Sequence, residues 1–175
     1  MTSKLKVNLI NDSGDNNIIT SDGAGSFTAS SSLASSVQSV GGIQMTPAFY
    51  AYAGGATTVS NSTWVKVSIG TELFDTNSNY DTSTSRFTPS IAGKYFFTAT
   101  IFANANNVGE LREVYLALYK NGTNHTMLSE ENLNNGFDEY RRTATGTAID
   151  TANGTSDYYE IYAHINNTSG SPAYS

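Results

Sequence analysis

One run of aromatic residues constrains this chain more than any other feature. Tyr80, Phe87, Gly93, Tyr95 and Phe97 follow Asp75 in the frame FDTNSNYDTSTSRFTPSIAGKYFF. Six residues separate Tyr80 from Phe87, and five separate Phe87 from Gly93. Tyr80-Asp81 before Thr82, Ser83, Thr84 and Ser85 reads as a polar turn, and Arg86-Phe87-Thr88 as a short strand. Pro89 lacks an amide hydrogen, so it closes that strand or sits at an edge. Gly93 is expected in a turn, as the residue able to take positive φ. From 94 to 102 the chain is aromatic and β-branched, which fits a strand. Its alternation places Tyr95, Phe97, Ala99 and Ile101 on one face and Phe96, Thr98, Thr100 and Phe102 on the other.

The same residues carry a resemblance. Asp75, Tyr80, Phe87, Gly93, Tyr95 and Phe97 are similar to the central signature of the globular head of complement component 1q. That head is a jelly roll shared with the tumour necrosis factor family. Thr46-Pro47-Ala48-Phe49 resembles the family's entry into its first strand, and Leu116-Ala117-Leu118-Tyr119-Lys120-Asn121-Gly122 its strand and turn. The chain departs at Ala99 and Ile69, where the family usually carries aromatics. The resemblance covers roughly residues 45–164 and implies an all-β jelly-roll sandwich that assembles as a homotrimer and binds rather than catalyses. It also implies one more strand, central in a sheet, beyond the point where this chain ends. Residues 169–175 read as a loop, so that strand is expected to be clipped from the sequence shown.

Composition agrees with strands and turns. Charged residues are 14% of the chain, against roughly 25% in an average domain. No segment sustains a helical period. There is no cysteine, which excludes disulfides and thiolate metal sites. The net charge of −6 argues against nucleic acid and anionic membrane surfaces, for no basic stripe exists to meet phosphates. The opening Met1-Thr2-Ser3-Lys4-Leu5-Lys6 reads as neither a signal peptide nor a membrane span. Synthesis in a cytoplasm followed by display on a virion, such as that of a bacteriophage, fits these facts better than secretion from an animal cell.

Two modules are expected. Residues 1–44 hold short strand patterns around Asn/Asp/Gly turns, then a Ser/Ala-rich tract ending at Gly41-Gly42. They read as an attachment arm and linker, with other virion proteins as partners. Residues 45–175 read as the jelly-roll head, with strands over 47–53, 63–69, 86–88, 94–102, 112–120, 140–150 and 158–165. Asn121-Gly122 and Asn153-Gly154 are hairpin signals. The strand over 112–120 is apolar on both faces: Val114, Leu116 and Leu118 on one, Tyr115, Ala117 and Tyr119 on the other. Its second apolar face points to subunit packing.

No residue set reads as catalytic. His125, in a polar loop, and His164, at a strand end, are too few for a triad, and no Gly-x-Ser-x-Gly elbow or phosphate loop occurs. No cofactor is expected. Calcium, which the family sometimes holds, would fall to Asp75, Asp81 and Asp157, for which solvated turn acids are the alternative. Tyr50, Tyr52, Tyr95, Phe97, Tyr115, Tyr119, Tyr159 and Tyr162 are candidates for the core or a threefold interface. Residues 104–110, 121–126 and 132–139, with Phe137 as an exposed aromatic, are candidate display loops for a host-surface glycan or protein.

Overall fold

The computed structural model describes residues 9–11, 13–21, 24, 27–29, 47–133 and 139–175. The chain divides into two compact units, residues 1–45 and 46–175. In the first, β1 (Leu9–Asn11), β2 (Asn17–Ser21) and β3 (Phe27–Ala29) form an antiparallel sheet with β2 in the middle.

Among the described residues the second unit holds twelve strands: β4 (Phe49–Tyr52), β5 (Thr57–Thr58), β6 (Thr63–Lys66), β7 (Thr71–Asp75), β8 (Tyr80–Asp81), β9 (Arg86–Phe87), β10 (Gly93–Asn104), β11 (Leu111–Lys120), β12 (Thr123–Asn132), β13 (Arg141–Ala152), β14 (Tyr159–Asn167) and β15 (Ala173–Tyr174). One sheet runs β13-β10-β15-β5. The other runs β12-β11-β14-β9-β8, with β6 also paired to β14. β4 and β7 pair separately. The successive long strands β10 to β15 move between the two sheets at every connection but the β11–β12 hairpin, the winding of a jelly roll.

The alternation read from the sequence explains the core. Phe97 and Ile101 of β10 are buried, as are Val114, Leu116 and Leu118 of β11 and Ala163 and Ile165 of β14. These faces meet in two apolar clusters between the sheets. Pro89 is fully buried just beyond β9. The β11–β12 turn is made by Asn121 and Gly122, both at positive φ (54° and 79°), as a tight right-twisted hairpin requires.

Several expectations need correction. Gly93 does not occupy a left-handed turn: it is the first residue of β10, and a Cβ added there meets nothing within 4 Å. One glycine that the backbone does require is Gly154, at φ 72°, where a Cβ would collide with the Ile91-Ala92 backbone. His125 lies in β12 rather than a loop, and His164 lies within β14 rather than at its end. The chain end is not wholly loop, since Ala173 and Tyr174 pair with β10 on one side and β5 on the other. Strands β5, β7, β8 and β12 were not foreseen. β12 is polar apart from Met127 and Leu128, and the clearer apolar pattern of the hairpin lies in its partner β11.

Candidate assembly face and flanking clusters

The aromatic run forms a single packed unit. Asp75 closes β7, and its carboxylate accepts the Asn77 amide (3.1 Å) and the Tyr80 amide (2.6 Å), bending the chain into β8. Tyr80 then donates its hydroxyl to the Ile69 carbonyl (2.8 Å). Phe49 stacks on Tyr80 (4.5 Å between centroids) and on Phe87 (4.7 Å). Phe87 meets Tyr95 and Phe97 edge-on, and Phe97 lies 4.5 Å from Tyr159. Burial raises the Tyr80 hydroxyl to a pKa of about 12. The spacing of the motif is therefore a packing constraint: it brings rings from β4, β8, β9, β10 and β14 into one cluster.

Tyr115, Tyr119 and Tyr162 do not belong to that cluster. They stand with Trp64 and His164 on the outward face of the other sheet. In register, Trp64 of β6 faces His164 of β14, which faces Tyr115 of β11. Tyr115 stacks on His164 (5.4 Å) and Tyr119 on Tyr162 (3.8 Å). Cross-strand ring pairs of this kind stabilise a sheet by about 0.2–1 kcal/mol each. On the second apolar face of β11 these rings pack side by side with those of β6 and β14 and stay partly exposed.

The open apolar surface lies on the β13-β10 sheet instead. Phe96 and Ile149 are opposite one another in the ladder, 66% and 70% exposed. The next pairs are Thr98 with Thr147, Thr100 with Thr145 and Phe102 with Thr143. The Thr100 and Thr145 hydroxyls are hydrogen-bonded at 3.0 Å. These four consecutive pairs contain no charge. Tyr50, Tyr52, Leu73 and Phe74, from β4 and β7, are also exposed. Of the eight aromatic candidates, Tyr50 and Tyr52 are therefore surface residues, Phe97 and Tyr159 are core, and Tyr95 is half-buried with its hydroxyl on the Ile91 carbonyl (2.6 Å). Sequence reasoning missed Phe96 and Ile149 because single exposed apolar residues carry no signal; the strand register pairs them.

The carboxylates proposed for calcium are each engaged locally. Asp81 caps its own turn, accepting from the Ser83 amide (2.8 Å), the Ser83 hydroxyl (2.6 Å) and the Thr84 hydroxyl (2.7 Å). These bonds, from Ser83 first, pull its carboxyl down to about 2. Asp157 accepts from Asn121 (2.9 Å) and from the Asn153 amide (3.0 Å). Among the described residues no group of three His, Asp or Glu converges on a possible metal position.

A denser ionic cluster joins the sheets at one end. Lys120 of β11 donates to Asp150 of β13 (2.8 Å) and to the Thr151 carbonyl (2.7 Å), and lies 3.4 Å from Asp157. Tyr159 donates to Asp150 (2.8 Å), and His125 Nε2 is 3.2 Å from its other oxygen. Burial acts to raise the Asp150 carboxyl, but hydrogen bonds from Lys120 and Tyr159 outweigh it and hold the group well below the usual carboxylate range. This is the pattern of a structural clamp that ties β11, β12, β13 and β14 together.

Of the candidate display loops, residues 105–110 form a loop in which Val108 is 66% exposed. Within 121–126 only Asn121 and Gly122 form a turn, the rest being β12. Phe137 lies outside the described residues.

No curated protein matches the sequence. The family model for the C1q domain matches residues 48–168. The match spans both sheets, the aromatic cluster and most of the second unit, and C1q domains are generally recognition or structural modules rather than enzymes. On the fold, the packed aromatic motif and this match together, the chain belongs to the C1q domain family.

Proposed function

We propose that this chain is a non-catalytic virion structural protein of a bacteriophage, whose head forms a homotrimer displayed as a fibre or spike tip or as a capsid decoration. In this reading the head adheres to a glycan or protein on the host surface, and residues 1–44 attach it to other virion proteins. The observation that carries assembly is the uncharged face built on Phe96, Ile149 and the threonine pairs between them and Phe102. Such a face suits contact with another copy of itself around a closed axis. Trimeric display supports adhesion by multivalency, since several weak sites on one particle raise avidity without new contacts. The virion assignment draws on composition: no cysteine and few charges.

The family match also favours a second reading, a secreted or cell-surface adhesin or ligand not of viral origin. A third reading is a cement protein without a receptor. Labelled antibody against the head separates them. Binding at particle tips supports the adhesin, binding across the capsid supports decoration, and no binding to particles overturns the virion assignment. Removal of residues 1–44 is expected to leave the head folded and to abolish incorporation into particles.

A further inference from the structure

The outward face of the β12-β11-β14-β6 sheet sets unpaired carboxylates beside aromatic rings. In register, Glu130 of β12, Tyr115 of β11, His164 of β14 and Trp64 of β6 stand in one row across four neighbouring strands. The row is about 14 Å long at about 4.8 Å per strand. Glu113 lies two residues before Tyr115 on β11 and therefore on the same face, opposite Asn132 on one side and Asn166 on the other. We propose that this face binds a glycan carrying free amino groups, with the amino groups at Glu113 and Glu130 and the sugar rings over Tyr115 and Trp64.

Charge carries the argument. Glu113 and Glu130 flank Tyr115, and after burial they are the groups that raise its hydroxyl, Glu113 first. Glu113 accepts a hydrogen bond from Asn166 Nδ2 (3.2 Å). Among the described residues no Lys, Arg or His forms an ion pair with either carboxylate. The contrast with their neighbours is local. Glu131, the next residue on β12, is held by Arg142 (2.8 Å), and Glu160 on β14 by Arg86 and Lys66. Two like charges on adjacent strands repel, and a cation from outside relieves both. The net charge of −6 favours the approach of such a ligand.

The rings select the body that bears the cation. Tyr115 and Trp64 lie 6.4 Å apart between centroids and are partly exposed, with His164 between them, 5.4 and 5.5 Å away. A cation over these rings lies within the roughly 6 Å at which a ring face attracts it. On an open sheet face a lone ion keeps most of its water. An amino sugar brings more: C–H groups that pack on the rings, hydroxyls for the Asn166 side chain, and an ammonium that makes charge-assisted hydrogen bonds to the carboxylates. A lysine-bearing peptide supplies the cation, but this face offers side chains rather than a strand edge, so the peptide backbone gains no partners. Acidic glycans are repelled by the same two carboxylates.

The face is also free of the features that govern assembly. Phe96 and Ile149 lie on the other sheet, and Ser175 exchanges hydrogen bonds with Phe102 there. The inference rests on the reading of the head as a host-surface adhesin and names the ligand class for it.

The test uses the full chain and three labelled trisaccharides of one linkage: glucosamine with its amines protonated, its fully N-acetylated form, and glucose. Binding is read by fluorescence anisotropy. The glucosamine form is expected to bind at least about tenfold tighter than the other two and to weaken as salt rises. Glu130→Gln, at an exposed side chain, should abolish that preference with the circular dichroism unchanged. Trp64→Leu should weaken all three saccharides, and Glu72→Gln, an exposed carboxylate on β7, should change nothing. Equal binding of the three saccharides overturns the proposal. So does a preference that survives Glu130→Gln, an equal loss with Glu72→Gln, or a trilysine peptide that binds as tightly as the glucosamine form. Adsorption of particles to host cells separates this inference from the reading beneath it. If antibody against the head blocks adsorption and the glucosamine form does not bind, the adhesin stands and this site falls. If the glucosamine form binds as expected and the antibody leaves adsorption unchanged, the site stands and the adhesin falls.

Discussion

Phe96 and Ile149 face each other across the β10–β13 ladder and leave 66% and 70% of their surfaces in solvent. The next residue in sequence, Phe97, is only 8% exposed. The same strand thus serves two hydrophobic surfaces, one committed to the core and one open. Apolar area gains roughly 25 cal/mol per Å² when removed from water, so a large paired patch on a strand face is a site at which association is favoured.

The first prediction concerns that pair. Phe96→Lys or Ile149→Lys should leave the fold and thermal stability nearly unchanged, since neither side chain packs in the core. Either should weaken self-association by about tenfold or more, by placing charge in the contact. Tyr119→Ala should do the reverse, lowering stability by about 1 kcal/mol through loss of its stack on Tyr162, with association intact. Analytical ultracentrifugation and thermal melts on the three variants check both halves. Dispersal by Tyr119→Ala alone would move the interface to the other sheet.

A second prediction separates two glycines. Gly93→Val should be tolerated, because a Cβ there enters open space and valine suits the start of a strand. Gly154→Val should destabilise by about 2 kcal/mol or more, or prevent folding, because it combines positive φ with collision against the Ile91-Ala92 backbone. Denaturant titration of both variants decides it. Loss of folding with Gly93→Val would show a constraint in the unfolded or assembling chain that the packed head does not display.

The jelly roll was legible because its signals are local and periodic. Alternation in β10 and β11 gave each strand and its two faces, and the spacing from Tyr80 to Phe97 gave the family resemblance. Asn121-Gly122 gave its hairpin because positive φ at both central residues leaves few other choices. What stayed hidden depends on pairing at long range. β12 is mostly polar, with Met127 and Leu128 its only apolar residues, and is a strand because β11 offers it a ladder. Gly154 matters through the Ile91-Ala92 segment, far away in sequence. Tyr115 and Tyr119 read as candidates for the core or an interface, and only strand pairing shows Trp64 and His164 beside them. Which sheet keeps an open face is a property of register between β10 and β13, and no single strand encodes it.

The third prediction is a dependence on acid. The Asp150 carboxyl is held lower in the folded chain than in the unfolded one, so the unfolded chain takes up this proton first as pH falls. The stability it contributes is complete above the unfolded value, about 3.9, and is lost progressively as pH falls from there through the folded value. Asp157 acts with the same sign, its carboxyl lowered by the hydrogen bond from Asn121 and by others after it. Asp150→Asn should lower stability at neutral pH by about 1–3 kcal/mol and flatten the stability profile below about pH 4. Melts of the two proteins from pH 7 to pH 2.5 give the comparison, and parallel profiles would mean that other carboxylates govern the acid limit.

The last prediction rests on an asymmetry around Glu160. Its side chain is 3% exposed, whereas those of Arg86 and Lys66, which both reach its Oε1, are 37% and 36% exposed. Arg86 binds it through Nε (3.1 Å) and Nη2 (3.0 Å), and Lys66 is more distant at 3.4 Å. Removing the carboxylate leaves two cations that water already reaches. Removing the arginine leaves a buried anion with one weak partner, and also strips the guanidinium from the Tyr158 ring, 3.8 Å away. Arg86→Ala should therefore destabilise by about 3 kcal/mol or more, as breaking a buried pair does, and Glu160→Gln by less than half of that, since the amide keeps shape and an acceptor oxygen. The double variant should be closer to Glu160→Gln than to the sum of the two, because once the buried charge is gone the arginine has little left to neutralise. A double-mutant cycle by urea denaturation measures all three. Equal losses for the two single variants would mean that water reaches Glu160, and that its closed environment between β9 and β14 is not what holds Arg86 in place.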